Sequence, residues 1–340
     1  MRAGRAVAWL AAGALALAGC GEGDGADDAP PGDFERALES VGEGVSPAGS
    51  GFGWIDLGRF ADGSPRERAR VALALGPGGD DMLRRAAATG RAIGADPRDA
   101  SQAVSISGSY TLGVRIDGLS GARLSERLRD AGARGRRDGE WRLYDLGGWA
   151  ESRVRGPLSA LGPYVSRVAV GPRAVVLSRF APARAALTGS GESPISDPAL
   201  ALAASCLGEV SVARTLPGAF THNKATSPDL LAIGRAPGGT ETICAVGDST
   251  EEAAAHAEAM ETALAPGARD RVTGEPISEL AGDVSVDTSA GEGHAAARAR
   301  LAPAEAAGGF VFGALVRGSL LTYTGSKPPI SGGAARRAQP

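Results

Sequence analysis

Residues 103–146 read AVSISGSYTLGVRIDGLSGARLSERLRDAGARGRRDGEWRLYDL, and they decide the fold. Ala103–Ser107 and Tyr110–Asp117 are apolar-alternating runs around a Gly-Ser turn, the pattern of a β-hairpin. Ser120–Ala131 then places Leu124, Leu128 and Ala131 on one stripe, the spacing of an amphipathic helix. Arg134–Arg137 and Glu140–Leu146 flank Asp138-Gly139, the strongest short turn signal in the chain. Helices here separate hairpins, not single strands. That order predicts an α+β fold, with antiparallel sheets and helices on one face, over a doubly wound parallel sheet. It also argues against a two-lobed solute-binding protein, which long βα repeats would build.

The rest of the chain uses the same alphabet. Phe34, Ala37, Leu38 and Val41 have helical spacing behind Asp33, a candidate N-cap. Phe52–Leu57 reads as a strand. Ser64-Pro65-Arg66-Glu67 starts a helix that runs to Leu75, where Gly76-Pro77-Gly78-Gly79 stops it; a second helix opens at Asp80 and Asp81 and reaches Ile93. Val165–Val170 and Ala174–Phe180 pair around Gly171-Pro172. Helices at Pro182–Leu187 and Pro198–Leu207 precede a strand at Glu209–Thr215. Leu230–Arg235 and Glu241–Val246 flank Pro237-Gly238-Gly239. Ser249 and Glu252 form a capping box for a helix to Leu264. Val284–Asp287 and Ala295–Leu301 read as strands, and Phe310–Leu321 as a closing helix.

Two segments echo one another. GARGRRDGE (132–140) and GARDRVTGE (267–275) coincide at six of nine positions. Each follows a helix that follows a hairpin. The shared order points to a duplicated ferredoxin-like module of the split β-α-β kind, with residues 33–160 as one module and 161–324 as the other. Arg134 and Arg269 are then expected at matching strand starts, and Glu140 and Glu275 just past matching turns.

The two ends differ from this body. Arg2 and Arg5 precede an apolar run, Ala6–Gly19, of 14 residues. That is too short for a bilayer core of ~30 Å, which needs about 20 helical residues, and it has the length of a signal peptide. Its end, Leu17-Ala18-Gly19-Cys20, resembles the lipobox of bacterial lipoproteins. The resemblance implies removal of residues 1–19 and lipidation of Cys20, which makes the membrane a partner through that anchor. Gly21–Gly32 holds four acids, no base and no large apolar residue, a composition that reads as a flexible tether. Residues 325–340 hold Lys327, Arg336 and Arg337 without an acid and read as a disordered basic tail. Within the body, AVGPRAVVLSRFAPARAALTGSGESPISDPALALA (169–203) resembles secreted actinobacterial lipoproteins that carry domains of unknown function. That resemblance implies an address and no activity.

An extracytoplasmic address puts Cys206 and Cys244, the remaining cysteines, in an oxidising compartment, where they are expected to form a disulfide. The formal charge is −3, and about −4 of it falls on residues 33–324. A near-neutral body excludes nucleic acid as a partner, since that needs a concentrated basic face. The bases are nearly all Arg, with Lys224 and Lys327 the two lysines and Asn223 the one asparagine, a sign of high-GC codon usage.

The sequence holds no G-x-S-x-G, P-loop, G-x-G-x-x-G, H-E-x-x-H, C-x-x-C or EF-hand loop, so no local motif supports a hydrolase elbow, a nucleotide site or a metal site. Its three histidines, His222, His256 and His294, lie far apart. His222-Asn223-Lys224 gathers unusual residues in one loop; it reads as an exposed connection, with a surface contact site as the sharper alternative. The expectation is a membrane-anchored lipoprotein with a non-enzymatic role in binding, sensing or envelope assembly, without a cofactor or metal. A carrier of a hydrophobic ligand between sheet and helices is the alternative, and a hydrolase with a site assembled by the fold is the third.

Overall fold

Each hairpin expected from the turn signals is formed in the computed structural model. The model describes residues 32–60, 63–109, 111–146, 165–189, 191–218, 227–304 and 309–325. The strands are β1 (Ser50–Asp56), β2 (Gln102–Gly108), β3 (Leu112–Asp117), β4 (Gly135–Asp138), β5 (Trp141–Asp145), β6 (Arg167–Val170), β7 (Ala174–Ser178), β8 (Val212–Pro217), β9 (Leu230–Arg235), β10 (Glu241–Gly247), β11 (Val284–Ala290) and β12 (Ala295–Leu301). The helices are α1 (Asp33–Glu39), α2 (Pro65–Val71), α3 (Gly76–Arg84), α4 (Ala86–Ile93), α5 (Ala122–Asp130), α6 (Ala181–Leu187), α7 (Pro198–Leu207), α8 (Thr250–Ala263), α9 (Ile277–Leu280) and α10 (Phe310–Arg317).

All twelve strands join one sheet in the order β11-β12-β10-β9-β8-β1-β2-β3-β7-β6-β5-β4, and the pairings are antiparallel. The α+β class is therefore met, but helices cover both faces of the sheet. On one face Ile55, Val114, Ile116, Val175, Ile233, Ile243 and Ala297 pack under α2, α4, α5, α8 and α10. On the other, Phe52, Trp54, Val104, Ile106, Ala232, Cys244 and Val246 pack under α1, α6 and α7. Successive strand residues alternate between these two cores, as the pleat requires. The sequence already carried this signal. β10 is buried along its whole length, and α7 (PALALAASCL) is apolar on nearly every side, the mark of an enclosed helix.

Local chemistry explains the element ends. Ser64 Oγ accepts from Glu67 N, Asp197 from Leu200 N, and Ser249 Oγ from Glu252 N. The Gly76–Gly79 run does not form a loop. It ends a 3-10 turn (Ala72–Leu75) and begins α3, with Gly76 at a φ of 65° turning the chain. Asp33 lies inside α1, which is preceded by Gly32 without a side-chain cap. The closing helix stops at Gly318 (φ 72°), and a 3-10 turn follows from Leu320 to Thr324.

The sheet is built of two halves with the same strand order. β1-β2-β3-β7-β6 in one matches β8-β9-β10-β12-β11 in the other, and β1 pairs with β8 where they meet. β6 and β7 lie after residue 160 yet pair with β5 and β3, so within the sheet the change of half falls between α6 and α7. In each half a later strand enters between two earlier-paired positions: β7 lies between β3 and β6, and β12 between β10 and β11. β1 and β2, joined through α2, α3 and α4, are antiparallel neighbours, so the ferredoxin-like order expected from the echo is not formed. Helices α5 and α8 do lie on the same face, through Leu124 and Leu128 in one and Met260 in the other.

Gly53 and Arg214 are opposed across the junction of the halves, in the β1–β8 pairing. Both touch the same 3-10 turn. A Cβ on Gly53 would stand 2.1 Å from Ala74 O, and Arg214 Nη1 donates to Leu73 O at 2.7 Å. Burial lowers the Arg214 pKa to about 10, with Asp80 opposing that shift.

Candidate functional site

β3 carries Arg115 in the run LGVRID, with apolar Val114 and Ile116 on either side. The pleat sends Arg115 to the face opposite its neighbours, where it is buried. Its guanidinium fork is nearly filled. Nε donates to Asp117 Oδ2 at 3.1 Å; Nη1 donates to Ser40 O at 2.8 Å and Leu187 O at 3.3 Å; Nη2 bonds Ser40 Oγ. Ser40 caps the C-terminus of α1, and Leu187 ends α6. One arginine thus joins the carbonyl ends of two helices to a strand, where helix dipoles favour a cation. Asp117 Oδ2 also accepts from Gln102 Nε2 at 2.9 Å, and Gln102 Oε1 accepts from Trp54 Nε1 at 3.0 Å.

This network floors a cleft of about 560 Å³ at one end of the sheet. Its walls come from Glu140 and Trp141 at the β4–β5 turn, Pro172, Arg173 and Ala174 at the β6–β7 turn, and Ser101 and Thr188. The volume falls within the ~300–1,000 Å³ of small-molecule sites. Trp141 is half-buried, and its ring lies against the backbone at Gly171, where a Cβ would stand 2.9 Å from Cζ3. Any larger residue at 171 would move the ring. Arg173 and Glu140 are exposed at the rim. Among the described residues, no hydrogen bond occupies Asp117 Oδ1. The cleft therefore offers an aromatic plane, a free carboxylate oxygen, hydroxyls and charges of both signs.

Cys206 and Cys244 form the expected pair, with Cα atoms 6.2 Å apart and sulfurs 2.06 Å apart. The bond joins α7 to β10. Cys20, His222, Asn223 and Lys224 lie outside the described residues. The structure does not bring His256 and His294 into one site. His256 is buried and its Nδ1 bonds Thr324 O at 2.8 Å, so it fastens the last 3-10 turn to α8. His294 Nδ1 stands 3.4 Å from Asp248 Oδ1 at the far end of β10. Asp229 shares that corner, and burial, then Asp248, then Glu252 raise its pKa. Among the described residues no group of three or more His, Cys, Asp or Glu is placed to hold a metal ion.

The echo segments diverge at their one buried letter. Asp270, in the place of Gly135, accepts from Val272 N and Thr273 N at 2.8 Å and from Tyr323 Oη at 2.5 Å. These bonds curl residues 269–276 into a turn closed by an Arg269–Pro276 bridge, whereas Gly135 lies in strand β4. Arg134 therefore precedes a sheet strand, and Arg269 forms a local bridge. The aligned Gly139 and Gly274 both turn the chain at positive φ, 57° and 73°, with exposed Glu140 and Glu275 just after them. A second cleft, of about 480 Å³, lies beside this turn between α8 and Tyr323, lined by Glu258, Thr262, Arg269 and Arg271. A void of about 20 Å³, close to the size of one water, lies among Leu57, Phe60, Val71 and Leu83 and is flanked by Arg68 and Arg98.

Sequence reading did not single out Arg115, Asp117 or Trp141. The available signal was Arg115 itself, a charge at an inward position of a strand otherwise rich in apolar residues. Such a charge must be paired. No protein-family model matches the chain, and neither the curated proteins nor the solved structures yield a match.

Proposed function

We propose that this chain is an extracytoplasmic lipoprotein, held at the membrane by lipid on Cys20, whose body binds a small polar ligand without transforming it. The Cys206–Cys244 pair carries the address. A buried disulfide between a helix and a central strand suits an oxidising compartment, which is where a lipobox ending in Cys20 would deliver it. More than one acyl chain on Cys20 would hold it at the membrane, since a single chain binds only marginally.

The Arg115–Asp117 cleft supports the binding role. Its lining mixes charged, hydroxyl and aromatic groups, a combination that suits a small polar ligand. Arg115 is committed to Asp117 and to two helix ends, and Asp117 is held by Arg115 and Gln102, an arrangement that holds a surface still instead of moving protons.

Fractionation of cells expressing the full chain tests the address. The wild type should sediment with membranes, with residues 1–19 removed. Cys20→Ser should be released or left uncleaved. Normal processing and unchanged membrane association of Cys20→Ser would overturn the lipoprotein reading.

A further inference from the structure

We infer that the Arg115–Asp117 cleft takes one or two rings of an uncharged sugar. The inference rests on the binding reading above and adds the ligand class.

Charge is the first argument. Arg115 and Arg173 are balanced by Asp117 and Glu140, so the cleft carries no excess that would draw a polyanion or a lone cation. Of these four, Arg115 and Asp117 are bonded directly to each other. Arg173 and Glu140 sit at the solvent-exposed rim, where ion pairs contribute little. A zwitterion would have to draw its affinity from those two groups.

Geometry is the second. A sugar ring has an apolar C–H face and an edge of hydroxyls that both donate and accept. Trp141 supplies a flat apolar wall whose tilt is fixed by the close approach of Gly171. Asp117 Oδ1 is an acceptor held rigidly from its other oxygen by Arg115 and Gln102. Ser101 adds a hydroxyl, and Thr188 an acceptor oxygen whose own hydrogen is donated to Ala185 O at 2.8 Å. These groups are ordered before a ligand arrives, which lowers the cost of binding. The cleft's 560 Å³ accommodates one or two rings and no long polymer segment.

The test uses the full chain in a detergent without a sugar headgroup. Isothermal titration is run with maltose, cellobiose and N,N′-diacetylchitobiose, and with glutamate, glycine betaine and inorganic phosphate as other probes. At least one disaccharide should bind. Trp141→Ala should weaken it at least about tenfold, a loss of about 1.4 kcal/mol by the standard conversion. Ser101→Leu, which fills the cleft from an exposed position, should do the same if Trp141→Ala fails to fold. Cosedimentation with purified cell-wall polysaccharide separates the two sources of such a ring. Pelleting that Trp141→Ala abolishes indicates a wall glycan; binding only in titration indicates a free sugar. Binding of glutamate, betaine or phosphate at the cleft without any disaccharide would overturn the sugar class and leave the binding reading standing. No heat from any probe and no pelleting would overturn both. Sugar binding unchanged in both variants would place the ligand elsewhere and overturn the inference.

Discussion

Arg115 and Cys244 occupy the same place in the two halves of the sheet. Each lies two residues before a strand-end carbonyl that accepts from the neighbouring strand: Asp117 O from Ser101 N, and Val246 O from Asp229 N. Each faces the same side of the sheet, and each fastens the helix that enters its half. Arg115 holds the C-cap of α1 by hydrogen bonds; Cys244 holds the last turn of α7 by a covalent bond. The difference teaches what each tie leaves behind. The disulfide is compact and closes its site. The guanidinium needs a polar neighbourhood, and that neighbourhood is the cleft. Among the described residues, the matching corner of the covalent half holds Asp229, Asp248 and His294.

Breaking the covalent tie should have the largest effect. The sulfurs close a loop of about 39 residues, which the chain-entropy model values at about 4 kcal/mol. Cys206→Ala with Cys244→Ala should lower Tm by roughly 10 °C at about 2–4 °C per kcal/mol, read by calorimetry without reductant. Breaking the other tie should cost somewhat less. Arg115→Met would leave Asp117 with Gln102 alone and remove the donor from the Ser40 and Leu187 carbonyls, at about 3 kcal/mol. Arg115→Lys should rescue little of it, because an ammonium cannot reproduce the fork. Urea unfolding of the three proteins checks the order.

The echo segments sharpen the same comparison. Burial would raise the Asp270 carboxyl, but the Tyr323 hydroxyl, the Thr273 and Val272 N–H groups and Arg317 outweigh it and hold it well below the usual carboxylate range. Its contribution is therefore present above the unfolded value of ~3.9 and lost as pH falls below it. Asp270→Asn should cost about 2 kcal/mol at neutral pH and remove that part of the acid slope. The smallest effect belongs to Asp229. Its folded pKa is raised, so its charge disfavours folding as pH rises from the unfolded carboxylate value through the folded one. Asp229→Asn should flatten stability over the range just above pH ~4 and slightly raise it at neutral pH, read from Tm against pH.

Most elements were legible because their ends are local chemistry. Caps at Ser64, Asp197 and Ser249 and the Asp138-Gly139 turn act over a few residues, and the disulfide followed from compartment and count. What was illegible depended on pairing at a distance. Helices on both faces follow from the unbroken apolar run Ile243–Val246 in β10 and from α7 being apolar on nearly every side, a pattern that alternation-based reading of one buried face passes over. The ferredoxin-like order failed because nothing local says whether strands joined by helices become neighbours. The echo misled at one letter: the Asp270 carboxylate accepts from Val272, Thr273, Arg317, Ser319 and Tyr323, and Gly135 has no side chain to do so. The cleft stayed hidden because its floor comes from α1, β2, β3 and α6, and its aromatic wall from β5.

The central claim is one sheet of two equivalent halves, each pinned at the same strand position by different chemistry. Residue-resolved hydrogen exchange of the full chain, with and without reductant, tests it most directly. The account predicts that amides across the β1–β8 junction, such as Asp56 N–H donated to Ser211 O at 2.9 Å, exchange with the slowest group. It also predicts that reduction releases α7 while α1, held by Arg115, keeps its protection. A fast-exchanging β1–β8 junction between two separately protected halves, or equal loosening of α1 and α7 on reduction, would contradict it.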